Sequence, residues 1–153
     1  MLSNSRSSSH PNPNSPIVRF AAMILIAGDL LILLVFIYIG QREHELLDPD
    51  NPIAGLLLNT GYFGLAWLIA GSLLGAFTTA RESTPWALLG RSLTAWLVAG
   101  PQAVLLRAVL TGRGVIPTAF LGVTLGLCGT LLLGWRLAFA LIWRRAAKNR
   151  ARN

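Results

Sequence analysis

Four long apolar stretches run through this chain, at Ile17–Ile39, Leu56–Ala80, Trp86–Leu110 and Ile116–Trp143. Crossing the hydrocarbon core of a bilayer as an α-helix takes roughly 20 such residues, so each stretch is long enough to span. Barrel strands would instead read as alternating segments of about ten residues. The stretches are continuous and rich in leucine, which predicts an all-α integral membrane four-helix bundle. Composition agrees: 54% of the residues are hydrophobic and 12% charged, too apolar for an ordinary soluble domain. The expected organisation is a disordered tail over 1–16, a membrane domain over 17–143 and a basic tail over 144–153. The tail over 1–16 is rich in Ser, Asn and Pro and has too little apolar surface to order itself. The apolar run after Arg19 is longer than a signal peptide's and no small-x-small site follows it, so the first helix is expected to be retained.

A net charge of +7 would point to nucleic acid in a soluble protein, so the placement of the charges decides. Arg6, Arg19, Arg81, Arg91, Arg144, Arg145, Lys148, Arg150 and Arg152 fall on one side of a four-span arrangement. Glu43, Glu45, Asp48 and Asp50 fall on the other. The positive-inside rule then puts both termini in the cytoplasm, as expected for a multi-pass protein of the inner (cytoplasmic) membrane. No aromatic residues interleave the basic tail for base stacking, so no nucleic-acid partner is expected. The expected partner is the lipid bilayer, with a homo-oligomer or a larger membrane complex in addition.

Small residues recur every fourth position in three of the stretches: Gly71, Gly75 and Thr79; Ala95, Ala99 and Ala103; Thr118, Gly122, Gly126, Thr130 and Gly134. Such rows let helix backbones approach closely where lipid supplies no hydrophobic drive. They predict a tight bundle of helices 2, 3 and 4, and leave open whether the rows face one another or a second copy.

Asp29 is the most informative single residue. It lies roughly 18 Å from the start of the first helix at 1.5 Å per residue. A central Asp costs about 2.5 to 3.5 kcal/mol on insertion, which the surrounding Leu, Ile, Val and Phe offset. Its carboxyl is therefore expected to face the bundle interior, with Arg107 or Arg136 as its partner. Gly100-Pro101-Gln102 lies inside the third stretch, where Pro101 removes a backbone donor and predicts a kink. With Gln102 near the depth of Asp29, these residues define a candidate intramembrane polar site of Asp29, Arg107, Arg136, Gln102 and Pro101.

In the loop, His44 between Glu43 and Glu45 is a candidate for acid-base chemistry, but lies several residues beyond the helix, far from Asp29. Metal-ligand spacing, catalytic triads, phosphate loops and haem patterns are missing from the sequence. No catalytic residue, metal or cofactor is expected, and the expectation is a non-enzyme. The function expected first is passage of a small solute or proton through a homo-oligomer; the alternative is an accessory or assembly role in a larger membrane complex.

Asp29-Leu-Leu with Phe36, Gly40 and His44, then Thr60 and Phe63, then Arg107, and finally Gly134-Trp135-Arg136 occur in an order that resembles the small bacterial membrane proteins of domain-of-unknown-function family 3054. The likeness runs from Asp29 to Arg136, with Tyr62-Phe63 where the family pattern has Pro-Phe. It implies four spans and includes Asp29, His44, Arg107 and Arg136 in the recognisable pattern. It implies no activity, because the family has none assigned.

Overall fold

Two polar caps, each followed by a proline, start the second and third spans. The computed structural model describes residues 16–43, 51–77, 84–112 and 118–150. The Asn51 side chain accepts from Ala54 N–H at 3.1 Å and the Thr84 side chain from Ala87 N–H at 3.3 Å. Each cap is followed by a proline whose missing N–H is one the first turn does not need. Helix α2 therefore runs Pro52–Leu73 and α3 runs Pro85–Leu110. Helix α1 is Pro16–Glu43. The fourth span is composite: α4 (Thr118–Val123), a π turn (Thr124–Cys128) and α5 (Gly129–Arg150). All four spans are long and apolar enough to cross a membrane, and together they form an all-helical four-span bundle.

Helix α2 starts four residues before the expected Leu56 and ends seven before the expected Ala80. Its end is set by glycines. Gly75 takes φ +68°, Ala76 N–H returns to Gly71 O at 2.7 Å and Gly75 N–H to Ser72 O at 3.4 Å, which is the paired 6→1 and 5→2 bonding of a Schellman stop. A Cβ on Gly71 would stand 2.6 Å from the Phe77 ring, so glycine there lets Phe77 fold back on the helix. The expected packing row of Gly71, Gly75 and Thr79 is thus a stop-and-return device; Thr79 lies outside the described residues. At the other end of the chain α5 stays helical to Arg150, past the expected boundary at Trp143.

The buried row of α1 is Ala21, Leu25, Asp29, Leu33, Ile37 and Gln41, one residue in every four. Rows spaced by four slant around a helix and suit crossed neighbours. This one begins against Phe139 of α5 at Ala21 and Leu25 and finishes at α2, where Gln41 Nε2 donates to Gly55 O at 3.4 Å. Between them the main core gathers Leu33, Trp67, Trp96, Ala95, Ala99, Cys128 and Leu132. Trp67 and Trp96 meet edge to face at 6.1 Å.

The small-residue rows divide. Ala95, Ala99 and Ala103 are buried, whereas Thr118, Gly122, Gly126, Thr130 and Gly134 are all exposed on the outside of the bundle. Two other glycines make the close approach of the third and fourth spans. A Cβ on Gly129 would lie 2.5 Å from Trp96 Nε1, and one on Gly100 2.5 Å from Leu125 Cδ2. Trp96 fills the gap and donates its indole N–H to Leu125 O, inside the π turn, at 3.0 Å.

Candidate functional site: a buried ion pair

Asp29 and Arg136 are both completely buried and stand on helices at opposite ends of the chain. Arg136 Nη2 lies 2.5 Å from Asp29 Oδ2, and Nε donates to Oδ1 at 3.1 Å. The guanidinium thus engages the carboxylate through two parallel bonds, the strongest geometry available to such a pair. Of the two arginines proposed from the sequence, Arg136 is the partner.

Three further elements complete the enclosure. From α2, Trp67 donates its indole N–H to Asp29 Oδ2 at 3.1 Å. From α3, Ser92 Oγ accepts from Arg136 Nη1 at 2.8 Å while donating to Leu88 O at 2.6 Å. From the turn after α2, Ala76 O accepts from Nη1 at 2.6 Å. Asp29 thus receives three hydrogen bonds and Arg136 uses four of its five N–H donors. The guanidinium carbon also lies 4.8 Å from the Trp67 ring centre and 5.2 Å from that of Phe77, within the range where a ring face attracts a cation. Most of the pair's polar directions are taken by the protein itself, so the pair suits a fixed internal contact better than ligand exchange.

The other expected site residues lie elsewhere. Arg107 donates from Nε to Asn59 Oδ1 at 2.7 Å and lies 5.2 Å from the Phe120 ring centre; Asn59 Nδ2 in turn donates to Gly55 O at 2.8 Å. This second polar cluster joins α2, α3 and α4 near the opposite end of the bundle. Pro101 and Gln102 are exposed on α3, with Gln102 in a groove beside Leu65, Ile69 and Val109. The structure does not bring them to Asp29. Helix α3 continues as an α-helix through Pro101. His44 lies outside the described residues. Among the described residues, no three His, Cys, Asp or Glu side chains cluster as metal ligands.

Trp67, Ser92, Ala76 and Phe77 were not among the residues singled out from the sequence. Trp67 carried one usable signal: a tryptophan in the interior of a span, away from the interfacial belts, needs a partner for its N–H.

Fold and site together define a polytopic membrane protein, four helices closed around one buried carboxylate-guanidinium pair. The chain belongs to the family described as Protein of unknown function (DUF3054), which matches residues 26–139 and so takes in Asp29, Trp67, Ser92 and Arg136. No curated protein and no solved structure matches the chain.

Proposed function

We propose that this protein is an accessory or assembly subunit of a larger complex in the cytoplasmic membrane, with both termini cytoplasmic, and that Asp29 and Arg136 lock its fold. The observation that carries the reading is the enclosure of the pair: both residues are inaccessible, and besides each other they are bonded by three further parts of the same chain. A carrier's central charges must exchange bonds with the solute they pass, and here most of the bonding positions are already filled by the bundle. Trp67 and Trp96 occupy the space between the helices, which leaves the lipid-facing surface as the place of work. Intramembrane charges are functional candidates by default; in this arrangement the function is to hold helices that lipid gives no hydrophobic reason to associate.

The test is gentle extraction of tagged protein from native membranes, with mass by light scattering and composition by proteomics on one peak. A partner protein in fixed ratio supports the reading. Recovery of this chain without any other protein removes it.

Solute or proton passage between copies is the second reading, favoured by the exposed Gln102 on α3. Uptake abolished by Q102L in reconstituted vesicles, with the fold intact, would support passage.

A further inference from the structure

Threonines on the outside of the spans are satisfied locally. Thr94 Oγ1 donates to Gly90 O at 3.1 Å and Thr130 Oγ1 to Gly126 O at 2.7 Å, each one turn back on its own helix. Gln102 differs. It is exposed and makes no hydrogen bond to the described residues. Exposed apolar side chains flank it along α3 in both directions, Leu97 and Val98 on one side and Leu105 and Val109 on the other, so the amide lies within the apolar belt rather than at its edge. Pro101, exposed beside it, has no N–H to give the carbonyl of Leu97 one turn earlier. One patch of α3 therefore presents an amide and a carbonyl without its usual helical donor to a region without water, where unsatisfied polar groups are strongly disfavoured.

We propose that this patch is the contact face of a homodimer, in which the two Gln102 amides hydrogen-bond to each other across a two-fold axis normal to the membrane. An amide carries both a carbonyl acceptor and NH₂ donors, so it is complementary to its own copy. A two-fold axis places the two copies at the same depth and in the same orientation. Acyl chains offer no hydrogen bonds and so cannot replace the second copy. The open groove of about 370 Å³ beside Gln102, lined by Leu65, Ile69, Leu105 and Val109, receives side chains of the partner. The inference is independent of the accessory reading: two copies without another protein would keep this proposal and remove that one, and one copy with a foreign partner would do the reverse.

The chain has a single cysteine, Cys128, and it is buried, so cysteine can be introduced singly in a C128A background. In native membranes, L105C treated with a short bis-maleimide is expected to give a dimer of this chain, and G122C on the outer face of α4 is not. Adding Q102L to L105C is expected to weaken association about tenfold, the scale of an interhelical amide pair in lipid. Unchanged tryptophan fluorescence and melting temperature would show that the fold survives, as expected for an exposed position. Cross-linking at G122C in place of L105C, a dimer indifferent to Q102L, monomers alone, or capture of a different protein at L105C would each overturn the proposal.

Discussion

Trp67 contacts both members of the ion pair: its indole N–H donates to Asp29 Oδ2 at 3.1 Å and its ring centre lies 4.8 Å from the guanidinium carbon of Arg136. One residue of α2 therefore couples α1 to α5. This arrangement makes the pair a junction among helices, and its energetics can be separated by substitution.

Removing one charge should hurt more than removing both. Arg136→Met leaves a buried carboxylate with Trp67 as its remaining donor, and loss of one member of a buried pair costs about 3 to 5 kcal/mol. Asp29→Leu combined with Arg136→Met is expected to recover at least half of that, because two well-packed apolar residues need no compensation. Equilibrium unfolding in mixed micelles, followed by tryptophan fluorescence, measures both. Equal destabilisation of the single and double variants would contradict a lock that acts through charge pairing.

Trp67→Phe keeps a ring over the guanidinium but deletes the donor to Asp29. A loss of about 1 to 3 kcal/mol is expected, the range for a hydrogen bond to a charged group. In the Asp29→Leu, Arg136→Met background the same substitution should cost markedly less, since its acceptor is gone. A double-mutant cycle reads this coupling, and additive effects would count against it.

Gly75 holds φ +68° and aims the following carbonyl, that of Ala76, at Arg136. Gly75→Ala places a side chain in the left-handed region, at a cost of about 1 to 2 kcal/mol. The melting temperature should fall. Ala76→Gly, which leaves the carbonyl in place, should change it far less.

Two glycines of the fourth span should respond in opposite ways. Gly129→Ala drives a methyl to within 2.5 Å of Trp96 Nε1, and such overpacking costs about 1 to 3 kcal/mol. Gly134→Ala meets nothing within 4 Å and gains helix propensity, so its fold stability should be unchanged or slightly higher. Thermal melts of the two variants side by side check the contrast, and similar losses at both positions would mean the close approach of α3 to the π turn is not where packing is tight.

The number of spans, their order and the presence of a costly charge at Asp29 were legible in the sequence, because apolar length and the expense of a buried carboxylate are properties of single segments. The starts of α2 and α3 were read too late, because the apolar pattern passes over the polar cap and proline pairs Asn51-Pro52 and Thr84-Pro85 with which the structure begins them. The choice between Arg107 and Arg136 was not legible, nor were the roles of Trp67, Ser92 and Ala76. In a soluble helix, polar residues mark the outer face and fix the rotation. Here lipid-facing and core-facing sides are equally apolar: Leu31 and Val35 are exposed while Leu33 and Ile37 are buried. Residue type along a span therefore determines that it crosses, and only packing against the other helices decides which way it turns. That rotation brings Asp29 to Arg136 across 107 residues of chain, turns the glycine row of the fourth span outward, and leaves Gln102 on the surface.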